Sequence, residues 1–388
     1  MRTATYDEIR SGKTTDIYFQ RTREILEKLD VHKRVTVDVQ TSSLPHGYKW
    51  GVLTGIHDAL GLLEGLDVEV EALEEGTVFG AWDPVLQITG DYVTFAVLET
   101  AILGYICQPS GIATKAARCK LKAGDRQVIS FGARRMLPTL APVIERNAYI
   151  GGCDGVSVVL AAELMGIEPS GTMPHALVLM LGNVVDAVKR FDEIIDPKVP
   201  RVALVDTLCD EKFESLAAAH ALKEKLAGVR FDTPGSRRGN MARILDEVRW
   251  ELNIRGFDHV KLIVSGGVDE EDIIQLNPHC DGYGVGTSIS NADTIDFALD
   301  IVEIDGQPFA KRGKSSGKKQ LLRCENCFDK VVVPYSYPES YLTCPCGGTR
   351  IELLKRAIRD GKTLVEEKPV GEVREKVFGE VEKIELSG

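Results

Sequence analysis

From about residue 125 to about residue 295, short apolar runs recur with amphipathic helical segments between most of them. The runs fall at residues 127–131, 155–158, 202–205, 229–231, 260–264 and 283–285; the helical segments at 138–149, 175–191, 212–226, 240–253 and 270–276. Each run has the length of one buried strand. A helix between two strands carries the chain back to the end where the first strand began, so the strands lie parallel. Counting an interrupted strand before Gly171 gives seven strands. The fold class is therefore α/β: an irregular (β/α) barrel, with an open doubly wound sheet as the alternative.

The chain has 388 residues, enough for two or three domains. Residues 1–120 carry short strand-like runs, 35–39 and 68–73, and then a helical pattern in which Phe95, Leu98, Ile102 and Tyr105 or Ile106 share a face. They read as an N-terminal α+β domain. Pro109 and Gln108 read as the end of that helix. Residues 121–305 read as the barrel. Residues 306–388 read as a linker and a small cysteine module, with the option of packing back on the N-terminal domain. With 58 acidic and 47 basic residues the net charge is −11, which argues against the whole chain being a binder of nucleic acid or membrane surfaces. The bases at 311–319 read as a solvated linker; a nucleic-acid patch would interleave aromatic residues. No run of about 20 apolar residues occurs, and the start of the chain meets charge at once, which points to the cytoplasm.

Nine cysteines are present. Cys107, Cys119, Cys153, Cys209 and Cys280 stand in mostly apolar surroundings and read as buried thiols. The other four form two tight turns, Cys324-Glu325-Asn326-Cys327 and Cys344-Pro345-Cys346, with Gly347 and Gly348 following. Four thiolates at this spacing suit a tetrahedral, structural Zn²⁺; two disulfides or free thiols are the other readings. Four sulfur ligands leave no open position, so zinc catalysis is not expected.

The strand ends carry the chemistry. Ser265-Gly266-Gly267 and Gly286-Thr287 follow the last two strands, where glycine lets backbone N–H groups approach a phosphate. Arg134, Asp154, Thr172, Asp206, Thr207, Arg230 and Asp232 stand near other strand ends. Arginine grips phosphate and carboxylate, and aspartate suits ribose hydroxyls and Mg²⁺. Each could also be a salt bridge or a cap; together they suggest a phosphorylated sugar. With Thr172 as N-cap and Pro174 in the first turn, His175 falls at a helix start, where the dipole favours a neutral, nucleophilic imidazole. The plainer reading of His175 is a hydrogen bond to a neighbour.

Taken in order, Phe131-Gly132-Ala133-Arg134-Arg135, Ser170-Gly171-Thr172-Met173-Pro174-His175, Arg230-Phe231-Asp232-Thr233-Pro234-Gly235, Ser265-Gly266-Gly267 and Gly284-Val285-Gly286-Thr287 resemble nicotinate phosphoribosyltransferase, in its shorter archaeal and bacterial form with a zinc-knuckle-like tail. The resemblance implies that nicotinate and phosphoribosyl pyrophosphate give nicotinate mononucleotide and pyrophosphate with Mg²⁺, in NAD salvage. It also implies coupling to ATP through a phosphohistidine at His175. It implies catalytic roles for His175, Arg230 and Asp232, with Phe131 stacking on the pyridine and Arg134, Thr172 and Arg230 lining the nicotinate and ribose sites. Asp154 would lie near the ring, and Ser265, Gly266, Gly267, Gly286 and Thr287 would hold the 5′-phosphate. The nicotinate pocket would be closed by Tyr18 of the second subunit of a homodimer. A quinolinate or nicotinamide phosphoribosyltransferase, or a non-catalytic phosphosugar-binding protein, are the alternatives.

Overall fold

The structure is a computed structural model that describes residues 3–387. It divides into two compact units: Lys115–Ala292, and a second unit formed by the segments on either side of it.

The first of these units holds strands β1 (Gln127–Ser130), β2 (Gly155–Val156), β3 (Arg201–Leu204), β4 (Leu226–Phe231), β5 (Lys261–Val264) and β6 (Gly282–Val285). They form one parallel six-stranded sheet in the order β2-β1-β6-β5-β4-β3. Spatial neighbours are chain neighbours throughout, except that the first strand meets the last. That is the order of a barrel, and it excludes the doubly wound alternative, in which strand order reverses at a switch point. The barrel does not close: β2 and β3 are both edges. The seventh strand expected before Gly171 is absent. Pro169 has no N–H to give to a ladder, and the segment makes one rung, from Ser170 N–H to the Val156 carbonyl at 2.7 Å.

Helices α1 (Ala141–Ile150), α2 (Val159–Met165), α3 (His175–Leu181), α4 (Val184–Ile194), α5 (Glu211–Leu222), α6 (Met241–Asn253) and α7 (Glu270–Leu276) fill the connections. The single helix expected over 175–191 is broken at Gly182, which ends α3 at φ +88°, and Asn183 then caps α4. Phe231 and Tyr283 are among the largest fully buried side chains, and the Tyr283 hydroxyl donates to Asn277 Oδ1 at 2.8 Å, so its burial leaves no polar atom bare.

In the other unit a seven-stranded antiparallel sheet runs in the order Gln307–Pro308, Phe297–Ile304, Arg34–Thr41, Leu86–Asp91, Val68–Ala72, Lys355–Arg359, Lys362–Thr363. The barrel boundary expected at residue 305 therefore moves to 292: Phe297–Ile304 pairs with Arg34–Thr41 over its whole length. Val35, Val37 and Val39 alternate inward and pack with Ile56, Leu60 and Leu63 of the helix Ile56–Leu63. The bases at 311–319 are not a free linker. Lys311 and Lys314 pair with Asp300 (2.5 and 2.8 Å), Lys318 with Glu71 (3.1 Å) and Lys319 with buried Asp38 (2.6 Å).

The helix expected to end near Pro109 continues as Glu99–Ala123. Pro109 cannot donate to the Tyr105 carbonyl. That oxygen lies so close to Gly55, which sits at φ +84°, that a Cβ there would come within 1.8 Å of it. With its leading turns the segment Tyr92–Ala123 is long and apolar enough to cross a membrane by length and composition, and 56 % of its apolar window is buried inside the protein. Of the scattered cysteines, Cys119, Cys153 and Cys280 are buried, Cys107 is partly so, and Cys209 is exposed, contrary to expectation.

Candidate active site

The C-terminal ends of the parallel strands surround a cavity of about 420 Å³. Eleven of the expected site residues line it: Phe131, Arg134, Thr172, His175, Arg230, Asp232, Ser265, Gly266, Gly267, Gly286 and Thr287.

One wall is an aromatic shelf. The Phe131 N–H donates to the Val285 carbonyl (2.9 Å), which fixes the residue just past β1. Its ring lies on bare backbone: a Cβ on Gly284 would come within 2.3 Å of the ring edge. The Arg230 guanidinium carbon stands 5.6 Å from the ring centre, a cation–π distance. Arg230 Nη2 donates to the Met173 carbonyl (3.2 Å), while its Nε is buried and has no partner. Burial pulls the Arg230 pKa below its usual value, and the nearby Asp232 and Asp206 oppose that shift.

Another part of the wall centres on His175, the first residue of α3. Pro174 occupies the N-cap with no side-chain cap bond, so Thr172 is not the cap expected of it; its hydroxyl reaches only the Met173 carbonyl at 3.5 Å. His175 Nδ1 lies 3.0 Å from the Thr207 hydroxyl, and Nε2 lies 3.8 Å from Asp206 Oδ1 and 3.9 Å from Asp232 Oδ2. The Asp206 side chain is 2 % exposed. Its Oδ2 accepts from the Asp232 N–H (2.6 Å) and the Thr233 hydroxyl (3.1 Å), whereas Oδ1 is buried without a donor. Burial raises the Asp206 carboxyl pKa, partly offset by those donors. Sequence reasoning noted Asp206 and Thr207 at a strand end but gave them no role. Their place directly after the β3 run was the available signal. Asp206 and Thr207 stand beside His175 outside the lining, whereas Arg135, Ser157 and Val158 line the cavity without having been assigned to it.

The floor is the two glycine loops. Ser265 is tied to the Phe231 carbonyl through its N–H (2.7 Å) and its hydroxyl (3.1 Å). Gly266 and Gly267 follow at φ +83° and +77°, both in the region that favours glycine.

Two expected residues are not in the cavity. Asp154 stands before β2, at the far end of the strands, where its Oδ2 accepts from the Val128 N–H (2.9 Å) and pairs with Lys120 (2.9 Å). Tyr18 lies on the helix Ile17–Lys28 of the other unit, is 56 % exposed and donates to Asp16 Oδ2 at 3.4 Å.

The four clustered cysteines converge, with all four sulfurs within 4.8 Å of one another. Cys324–Cys346 at 3.5 Å and Cys327–Cys344 at 3.6 Å are far beyond a disulfide bond and near the roughly 3.8 Å that Zn–S bonds of about 2.3 Å give in a tetrahedron. Main-chain N–H groups at Cys327 and Asn326 hold the Cys324 thiol down at about 6. Gly347 turns at φ +84°, and a Cβ on Gly348 would stand 2.8 Å from the Cys324 sulfur. The cluster could hold a metal ion.

Residues 112–300 match the family described as quinolinate phosphoribosyl transferase, C-terminal domain, and residues 16–110 match its N-terminal domain. Curated relatives carry a related name. A nicotinate phosphoribosyltransferase of Mycobacterium tuberculosis, pncB2, is 32 % identical over 269 residues, covering 66 % of this chain and 57 % of the relative. That of Bacillus subtilis is 31 % identical over 227 residues, covering 57 % and 45 %. The chain thus spans between about half and three fifths of the length of these two relatives. Among solved structures, nicotinate-nucleotide pyrophosphorylase from Pyrococcus furiosus is 52 % identical with a TM-score of 0.97, covering 99 % of this chain and 98 % of that one. Human nicotinic acid phosphoribosyltransferase shares the fold at 17 % identity, with a TM-score of 0.72 over 95 % and 94 %. The chain therefore belongs to the quinolinate and nicotinate phosphoribosyltransferase family and is of the nicotinate phosphoribosyltransferase type.

Proposed function

We propose that the protein joins nicotinate to phosphoribosyl pyrophosphate, releasing pyrophosphate and nicotinate mononucleotide for NAD salvage, with ATP hydrolysis coupled through His175. The observation that carries this reading is the shared cavity: the Phe131–Arg230 shelf, the His175 imidazole and the two glycine loops face one space. A flat ring with one carboxylate matches a shelf that pairs an aromatic face with guanidinium groups. The lining cations are Arg134, Arg135 and Arg230, with His175 and no lysine, which favours one carboxylate plus phosphates over the two carboxylates of quinolinate.

Nicotinate's ring nitrogen already carries a free lone pair at neutral pH, so attack on the ribose C1 needs no general base. What the site must supply is alignment, stabilisation of the departing pyrophosphate and exclusion of water. Arg230 and Arg134 supply positive charge, and the backbone N–H groups of Gly266–Gly267 supply dipoles for the 5′-phosphate. In the ATP arm, the carboxylates facing Nε2 keep the imidazole proton on that nitrogen. Nδ1 is then the lone pair that takes the γ-phosphoryl group from ATP, and the Thr207 hydroxyl steadies it. The Asp232 carboxylate, which lines the cavity, is suited to Mg²⁺. Bound there, the ion would neutralise charge on the pyrophosphate.

The sulfur tetrahedron supports a structural Zn²⁺ held by Cys324, Cys327, Cys344 and Cys346. A homodimer is supported by exposed apolar side chains on α2 and α3, with Leu164 70 % and Met180 84 % exposed, and by exposed Tyr18, the residue expected to close the partner's pocket. The deciding experiment incubates the protein with phosphoribosyl pyrophosphate and radiolabelled nicotinate, quinolinate or nicotinamide, with and without ATP. Nicotinate mononucleotide formed with ATP consumption is expected. Labelled CO₂ from carboxyl-labelled quinolinate would move the protein to the decarboxylating reaction, and no product from any base would leave a phosphosugar-binding role.

A further inference from the structure

Arg238 lies outside the cavity lining, on the short helix Gly235–Arg238 that follows β4. Its guanidinium reaches across to three main-chain carbonyls. Nε donates to Thr233 (3.2 Å), and Nη2 donates to Ser265 (3.3 Å) and to Gly266 in a short contact. One side chain thus joins the loop after β4 to the loop after β5.

The direction of those bonds matters more than their number. In a planar trans peptide the C=O of one residue and the N–H of the next point in opposite directions. Holding the Ser265 carbonyl fixes the Gly266 N–H on the opposite side, and holding the Gly266 carbonyl does the same for the Gly267 N–H. Both glycines line the cavity, and among the described residues neither N–H has a protein acceptor. Both sit at positive φ, where many backbone orientations are open to glycine. Without an anchor the two peptide planes could rotate and turn carbonyl oxygens toward an incoming anion. Asp232 sharpens the need, because its Oδ1 would stand only 2.6 Å from a Cβ on Gly266 and so brings negative charge beside the loop.

We infer that Arg238 is a positioning residue: it orients the Gly266 and Gly267 amides as donors for the phosphate of a phosphoribosyl ligand without touching that ligand. The ligand class rests on the proposed function; the peptide orientation does not, and the two are tested separately. The first measurement uses the ligand-free protein. In crystals of Arg238→Ala the Ser265–Gly266 and Gly266–Gly267 peptide planes should turn away from their wild-type orientation, and less so in Arg238→Lys, which keeps a donor. The strand backbones should superpose unchanged. An unaltered loop in both variants overturns the inference whatever the protein's substrate is.

The second measurement compares binding of nicotinate mononucleotide with nicotinate riboside. The wild-type protein should favour the phosphorylated ligand. Arg238→Ala should lose about 30-fold of that preference, with riboside affinity nearly constant and KM for phosphoribosyl pyrophosphate rising more than kcat falls. Equal weakening toward both ligands would show a general structural role and overturn the inference. Absence of any phosphate preference in the wild-type protein would instead overturn the function on which the ligand class rests, and with it the assignment of these amides to a phosphate.

Discussion

The cavity at the strand ends and the four-cysteine cluster are both built from polar groups that the fold brings together in advance, and they end in opposite conditions. In the cluster every sulfur has the other three within 4.8 Å, and Gly347 and Gly348 wrap the backbone around them. One tetrahedral ion would complete the set and leave no face open. In the cavity the polar groups are held apart. Asp206 Oδ1 and Arg230 Nε are buried without partners, and the Gly266 and Gly267 N–H groups have no acceptor. The two buried deficits cost about 1–3 kcal/mol each, while the exposed glycine N–H groups are open to a ligand. A site that stabilises closes on itself, and a site that works keeps deficits for its substrate to fill.

That contrast can be broken at four points. The largest effect is expected from His175→Ala: ATP consumed per nucleotide formed should fall to near zero, and a wild-type stoichiometry would remove His175 from the coupling. Next comes Cys324→Ser, or treatment of the wild-type protein with a strong chelator. Metal content should drop from one zinc per chain and the melting temperature should fall by several degrees, whereas His175→Ala should keep both. Retention of full stability after chelation would show that the cluster does not close on a metal. Arg230→Ala should raise KM for nicotinate and for phosphoribosyl pyrophosphate by about 10- to 100-fold; unchanged values for both would take the residue off the shelf. The smallest effect belongs to Asp154→Asn, which weakens the pair with Lys120 and should cost about 1 kcal/mol of stability at unchanged KM. A raised KM there would return Asp154 to the substrate.

Much of the parallel sheet was legible because each strand and its helix are neighbours in the chain. An apolar run such as 260–264 announces a buried strand without reference to anything distant. The antiparallel sheet was not legible in the same way. The runs at 35–39 and 68–73 stood out, but nothing local says that Arg34–Thr41 will pair with Phe297–Ile304, or Val68–Ala72 with Lys355–Arg359. No strand forms before Gly171, where Pro169 has no N–H to give to a ladder and Ser170 makes the one rung. Asp154 reads from the sequence as a residue near a strand end, but its position before Gly155 puts it at the start of that strand, away from the cavity. The bases at 311–319 looked solvated because Asp38, Glu71 and Asp300, their partners, are tertiary neighbours.

The unclosed stretch between β2 and β3 has a bearing on how His175 is held. Six staves with a missing member form a ring with a soft seam, and the loop that crosses the seam, held to β2 by a single rung at Ser170, runs directly into the histidine. Motion there disturbs few strand bonds. The imidazole is thus mounted where the ring of strands is open, just past a loop with one strand bond behind it.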